Sequence, residues 1–381
     1  MGNSGSVADG RLRPVAPLQL RDDDLALFVL NVGDGDALVV RFPIIVPGDP
    51  PTYGVIDSFD ADKTIALIND LGAGPIRFVC ATHPHFDHIR GLRDVLRTFR
   101  NSVAEFWDSG FRYTSATYLR LLEEVETQAP GIRFIRPTSG FEFMHARAQV
   151  TVLSPSIALR NRYDTYGVDV NNASIVARVR YPVPAPSVQY PGSKSPAAGK
   201  PVTTRTIILG GDAQTDAWGQ VIQEFPHLDL DPKNWVRQIG GGTGSQPLAC
   251  DLFKVSHHSS KRGVNLELLE RMGDRTGKGP SDGPRWLVVS CASGADSDYG
   301  FPHSVTQALM REVRNPQAQA GGQHKPDDEL GIHFTSQTLA SDGSPLGSIA
   351  FVIGGDGRTS LYRFRDRVTE PVDLSSARRS R

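Results

Sequence analysis

A chain of 381 residues holds one large domain or two ordinary ones, so length leaves the domain count open. Lys and Arg total 41 against 42 Asp and Glu, which excludes global charge as a reason to bind nucleic acid or anionic membrane. The three cysteines, Cys80, Cys250 and Cys291, are odd in number, far apart and set in apolar runs, which excludes a disulfide framework and points to buried thiols in a reducing compartment.

Residues 1–22 read as a disordered or extended start, 23–368 as one domain and 369–381 as a flexible tail. Within 25–43 two β-rich runs flank a Gly-Asp turn, and 53–57 adds a short strand. The apolar spacing of Ile65, Leu67, Ile68 and Leu71 predicts a helix over 61–71, stopped by 72–75 before a strand at 76–81. A helix is expected over 91–100. Strands follow at 132–136, 148–153, 174–181, 206–209, 252–255 and 286–290, with helices at 117–127, 266–272 and 304–313. This alternation predicts stacked α and β layers. Segments 182–201, 232–247 and 275–284 are rich in Gly, Pro and Ser and read as insertions. The Gly run in the second lacks the Lys-Ser/Thr of a phosphate-cradling loop. No internal repeat is evident. No apolar run reaches the roughly 18 residues a membrane span needs, and the start lacks a basic-then-apolar signal, so a cytoplasmic protein without a membrane partner is expected.

The chemistry concentrates at His83-Pro84-His85-Phe86-Asp87-His88, four potential metal ligands between a predicted strand and a predicted helix. Alternation puts His83 and His85 on one side of an extended segment, where two imidazoles converge on one ion. Asp87 and His88 follow at the turn and face a second ion. Imidazole with carboxylate suits zinc, and also manganese or iron when more oxygen ligands join. A two-metal site needs a bridging ligand, and Asp212, after the apolar run 207–209 and two glycines, is the best candidate. The terminal histidine is His257 or His258; we take His257 as the ligand and His258 as a substrate contact or proton donor.

These residues resemble the metallo-β-lactamase superfamily, and within it the hydrolase domain of the ComEC competence proteins. Besides the His cluster, residues 31–37 are similar to VGQGDA, 55–57 to LIDGG, 171–176 to NNxSLV, 209–212 to LTGD, 254–261 to KVPHHGSK and 299–304 to YGHPHP. The resemblance implies a four-layer αββα sandwich with two divalent ions at one edge. His83 and His85 would hold the first, Asp87, His88 and His257 the second, and Asp212 would bridge them. Asp57 and Asp36 would stand behind the ligands and orient them. Asn171, Asn172, Ser259, Lys261 and His303 would face the substrate. Many superfamily enzymes carry a histidine where this chain has Asn171-Asn172, so the first ion is one ligand short. Ser259 and Phe301 replace the Gly of HHGS and the first His of YGHPHP.

The implied reaction is hydrolysis. Two ions share a hydroxide at neutral pH because metal binding lowers the pKa of water to about 7, and Asp87 or His258 manages protons. Arg90, Arg93, Arg97 and Arg100 fall at helical spacing and would form a basic stripe suited to a phosphodiester backbone. A phosphodiesterase or nuclease acting on nucleic acid or a small phosphodiester is therefore expected. The alternatives are a lactonase or β-lactamase type of hydrolase and a non-catalytic metal-binding scaffold.

Overall fold

The computed structural model describes residues 18–111, 113–166, 169–184, 202–225, 247–273, 284–292, 296–315, 325–339 and 343–372. Most of the three expected insertions, His227 and His324 lie outside the described residues.

The first sheet is built on a hairpin. Strands β1 (Leu25–Val29) and β2 (Ala37–Phe42) pair antiparallel, and β3 (Thr52–Ser58) follows antiparallel to β2. Helix α1 (Ala61–Asp70) is capped by Asp60, whose carboxylate accepts from the Lys63 backbone N–H, and it carries the chain over to β4 (Ile76–Ala81), which pairs parallel with β3. The expected helix over 91–100 is two pieces, α2 (Phe86–Ile89) and α3 (Leu92–Thr98), broken at Gly91. A Cβ at Gly91 would meet Ala61 N at 2.7 Å and Ser58 O at 2.8 Å, so only glycine lets this helix pair seat against the end of β3. Strand β5 (Glu105–Asp108), helix α4 (Ala116–Thr127) and strand β6 (Arg133–Ile135) extend the parallel part.

The second sheet repeats the plan. Strands β7 (Glu142–His145), β8 (Ala148–Ser154), β9 (Val176–Pro184) and β10 (Val202–Leu209) are antiparallel neighbours. Then β11 (Leu252–Lys254), β12 (Trp286–Val289) and β13 (Ile332–Phe334) run parallel to β10 and to one another. Strands β14 (Ser348–Ile353) and β15 (Thr359–Phe364) return to the edge of the first sheet, giving one sheet of eight strands and one of seven among the described residues. Helices α5 (Ile157–Tyr166), α6 (Thr215–Glu224), α7 (Leu266–Arg271) and α8 (Ser304–Arg314) accompany the second sheet.

Three apolar clusters define four layers. Phe28, Val39, Val79, Leu92 and Leu121 pack α1, α3 and α4 on the first sheet. Leu27, Val40, Phe78, Val179, Ile207 and Phe351 fill the space between the sheets. Ile208, Phe253, Trp218, Leu268 and Met310 pack α6, α7 and α8 on the second. Strands covered on both faces read as continuous apolar runs, and β1 does so throughout and β2 but for Arg41. The expected αββα sandwich is the observed fold. Although no repeat is visible in the sequence, the two sheets share a topology in which an antiparallel strand is followed by parallel neighbours. The loops after β3 and β4 and those after β10 and β11 all leave the carboxyl ends of parallel strands, where α/β sheets place their ligands.

Two local expectations change. His333 reads as a surface histidine but is 2% exposed on β13, where burial and then Arg363 push its imidazole down to about 3. The arginine stripe is largely spent within the fold. Glu124 of α4 takes Arg97 at 2.6 Å and Arg93 at 3.6 Å, and Arg90 lies over the Phe59 ring at 4.9 Å. Burial pushes the Glu124 carboxyl up, but hydrogen bonds from Arg97 and Gln128 outweigh it and hold it below the ordinary range. All three cysteines are buried and free, and no helix among the described residues is long and apolar enough to cross a membrane.

Candidate metal centre

Asp57 ends the apolar part of β3 in a left-handed backbone, φ 54°, and is fully buried. Its carboxylate accepts from the Thr82 backbone N–H at 2.8 Å, from the Thr82 hydroxyl at 2.6 Å and from His88 Nδ1 at 2.7 Å. Because the Thr82 hydroxyl donates to Asp57, its oxygen is free to accept from His83 Nδ1 at 3.2 Å. One buried carboxylate thereby holds the Nδ1 proton of both His83 and His88, so that Nε2 is the nitrogen each can offer to a cation. Burial pushes the Asp57 carboxyl up, against the pull of His88. Asp57→Asn fits the same backbone but replaces one acceptor oxygen with an N–H donor; it is expected to weaken metal binding about 10- to 100-fold, read by competition with a chelator.

The loops of the second sheet approach from the other side. Gly210 N donates to Lys254 O at 3.1 Å, and His257 N donates to Gly211 O at 3.0 Å. A Cβ at Gly210 would stand 2.2 Å from Ser256 Oγ, so glycine is what lets the loops after β10 and β11 touch. Ser174 Oγ accepts from Asp212 N at 3.0 Å and fixes the acid. The carbonyl of Ser290, after β12, accepts from His258 Nδ1 at 2.8 Å, which makes Nε2 the nitrogen the ring can offer to a cation.

These nitrogens converge on Asp212. Its Oδ1 lies 3.3 Å from His88 Nε2 and 3.6 Å from His258 Nε2. Asp87 Oδ2 lies 3.7 Å from the same two nitrogens. Asp212 Oδ2 faces His83 Nε2 at 3.8 Å and His257 Nε2 at 3.7 Å, and His83 Nε2 is 3.0 Å from His85 Nδ1. His88 Nε2, His258 Nε2 and Asp212 Oδ1 are buried without a well-aligned hydrogen bond. Left alone, such atoms cost free energy. Their donor type, burial and mutual approach fit a divalent cation, and Asp87, His88, Asp212 and His258 form a grouping that fits a single ion.

The electrostatics agree. Burial opposes charge on His88, but Asp212, Asp57 and Asp87 hold its pKa well above the usual histidine range. Burial likewise opposes the Asp212 carboxylate, and His88, His258 and His257 hold its pKa well below the usual carboxylate range. His83 is pushed well down by burial and by its neighbour His88. The carboxylates create a negative field at this point, where a cation is favoured.

The structure corrects several expectations. His258, placed in the sequence as a proton donor or substrate contact, joins Asp87 and His88, whereas His257 faces the other oxygen of Asp212. Asn172 Oδ1 accepts from the backbone N–H groups of Gln214 and Ala217, both at 3.1 Å, so this side chain caps α6 instead of facing substrate. Asn171 is buried, with Oδ1 lacking a hydrogen-bond partner. Ser259 is fully buried and bonded to Thr306 Oγ1 at 2.8 Å, and His303 Nδ1 accepts from Val305 N, capping α8. Lys261 is exposed. Asp36 is fully buried and pairs with Lys254, which joins the loop after β1 to the end of β11. Asp36, Asp57 and His88 also lie close together, but Lys254 and the His88 Nδ1 proton already answer those carboxylates. Sequence reasoning missed Thr82 and Ser290. Thr82 had a signal, a hydroxyl directly before His83 at the end of a buried strand; Ser290 acts through its carbonyl, and any residue type supplies one.

Residues 29–188 match a model of the metallo-beta-lactamase superfamily. Over those residues the chain is similar to that superfamily's domain. The described residues hold two His/Asp groupings that could each hold a metal ion. Among solved structures the chain is similar to the diiron β-hydroxylase CmlA from Streptomyces venezuelae, with 11% identity over 83% of this chain and 53% of that one and a TM-score of 0.39. It thus spans about half the length of CmlA. It is also similar to the metallo-β-lactamase fold protein YhfI from Bacillus subtilis, with 11% identity, 82% and 96% coverage and a TM-score of 0.38. A long-form RNase Z from yeast gives 11% identity, 71% and 38% coverage and a TM-score of 0.35. No curated protein sequence matches the chain.

Proposed function

We propose that the metallo-β-lactamase domain is a two-metal phosphodiesterase, and that its substrates present unstacked bases, as single-stranded nucleic acid or small nucleotide diesters do. The observation that carries the two-metal reading is Asp212, whose two oxygens face separate sets of imidazole nitrogens, Oδ1 toward His88 and His258 and Oδ2 toward His83 and His257. Asp87, His88, His258 and Asp212 Oδ1 would hold one ion; His83, His85 and Asp212 Oδ2 would take part in holding the other. When bound, two such ions activate water near neutral pH and stabilise both oxygens of an in-line displacement at phosphorus.

Asp87 is the acid of the cluster that reaches solvent, with 29% of its side chain exposed, and it is placed to take the proton of the attacking water. Beside His258 the rings form a ladder. Phe301 stacks on His258 with centroids 5.5 Å apart, and Tyr299 stacks on Phe301 at 5.6 Å. Tyr299 is 68% exposed, an aromatic face next to the metal ligands on which a base can stack. The motifs resembling the ComEC hydrolase domain support the same reading. The arginine stripe does not add to it, since Glu124 takes two of its members.

The test compares wild type with Asp87→Ala on single-stranded DNA and on bis-p-nitrophenyl phosphate, with nitrocefin and a lactone in parallel. Wild type is expected to cleave the first two, and Asp87→Ala to lose about 100-fold or more in rate while melting at the wild-type temperature. Turnover of nitrocefin or the lactone alone would replace the phosphodiester reading with a carbon-ester or amide one. Metal-replete protein inactive on every substrate would leave a non-catalytic scaffold.

A further inference from the structure

The two sides of Asp212 are unequally furnished. On the Oδ1 side, Asp87, His88 and His258 supply three further donors. On the Oδ2 side the HxH pair supplies only His83 Nε2 and His85 Nδ1. A four-coordinate ion there needs one more donor. Of the two asparagines in the neighbouring loop, Asn172 is committed to the backbone of α6, and the buried Asn171 Oδ1 makes no hydrogen bond to His83, His85 or Asp212.

We infer that His257 is that missing donor, so that one tight turn contributes its two successive histidines to two different ions. The backbone supports this. His257, His258 and Ser259 have φ values of 49°, 50° and 63°, three consecutive left-handed residues none of which is glycine. Such strain persists where the surroundings demand it and gathers at functional sites. Here it turns neighbouring side chains, which an extended segment would send to opposite faces, onto one carboxylate. His258 Nε2 meets Oδ1 at 3.6 Å and His257 Nε2 meets Oδ2 at 3.7 Å.

The surroundings of His257 fit a ligand. Its Nδ1 lies 2.9 Å from Ser260 Oγ and 2.9 Å from the Gln214 side-chain amide. Ser260 Oγ can accept the Nδ1 proton, with the Gln214 amide, whose Nε2 stands nearest the ring, turned to present its oxygen, and Nε2 of His257 then keeps its lone pair toward Asp212. The Phe301 ring packs edge-on at 5.6 Å and limits rotation of the imidazole. His257 is a half-buried histidine with one nitrogen tethered and the other aimed at a shared carboxylate, the arrangement of a metal-binding imidazole.

This inference rests on the two-metal reading, and cobalt substitution tests it without recourse to activity. Apo protein titrated with Co(II) is expected to bind two equivalents. His257→Asn, which the left-handed backbone accepts without added strain, is expected to bind one. His257→Cys is expected to bind two and to show a thiolate-to-cobalt charge-transfer band that wild type lacks. His258→Asn serves as the matched control and loses the other equivalent. Two equivalents bound by His257→Asn with wild-type affinity, or no charge-transfer band in folded His257→Cys, would overturn the inference. Wild type that binds a single equivalent overturns it together with the two-metal reading. Wild type that binds two but cleaves no phosphodiester refutes the substrate reading alone, and a lost equivalent in His257→Asn then still supports the ligand role.

Discussion

Asp212→Ala is expected to lose both ions and to hydrolyse nothing above background. No other side chain among the described residues faces both sets of imidazoles, with Oδ1 3.3 Å from His88 Nε2 and Oδ2 3.8 Å from His83 Nε2. Replacing a supporting partner behind a ligand typically costs 10- to 100-fold in metal affinity or activity, and removing a shared ligand must exceed that, so a loss of well over about 100-fold in rate is expected. Metal content per chain and initial rate read the effect, and a thermal melt in chelator separates a lost ion from a lost fold. Because Asp212 is only 1% exposed, a water does not readily replace its carboxylate. Two bound ions and a wild-type rate in Asp212→Ala would place the centre elsewhere.

Lys254→Met is expected to destabilise the protein more than any change at the exposed edge of the site. Lys254 Nζ and Asp36 Oδ2 form an ion pair with both side chains 1% exposed, between the strands of the second sheet and the loop after β1. Removing one partner leaves a buried charge unanswered, which typically costs 3–5 kcal/mol, so Tm should fall by on the order of 10 °C. The effect reaches the site, since Asp36 Oδ1 lies 3.9 Å from His258 Nδ1. Combining Lys254→Met with Asp36→Asn removes both charges and is expected to recover most of the loss, because the penalty comes from the orphaned carboxylate and not from missing contacts. A single variant that melts with wild type would show that water or another group answers Asp36.

The readable parts of this protein are those whose physics is local. Runs covered on both faces are mostly apolar, which is why β1 and, but for Arg41 and Arg77, β2 and β4 stand out in the sequence. Edge strands such as β7, with a mixed exposed and half-buried pattern, do not. The cluster from His83 to His88 was legible because its four donor side chains fall within one short segment, and Asp212 because glycines mark a loop that must approach another closely. The amphipathic spacing correctly set Arg93 and Arg97 on the outer side of their helix, yet said nothing of Glu124, which arrives from another helix and takes both.

The sequence by itself determined the stacked α and β layers, through the alternation of strand and helix patterns, and the His cluster, through residue type and short-range spacing; the αββα order of the layers came from its resemblance to a known superfamily. Only the tertiary structure decided how the two halves share the work. Asp57 orients His88 directly and His83 through Thr82. Asn172, Ser259 and His303 are spent on caps and packing. His257 and His258 part to opposite oxygens of Asp212. The reason is geometric. Hydrogen-bond partners here come from separate elements, 25 positions apart for Asp57 and Thr82 and 47 for Ser259 and Thr306, and the left-handed turn that separates the two histidines is a backbone state that their side chains do not announce.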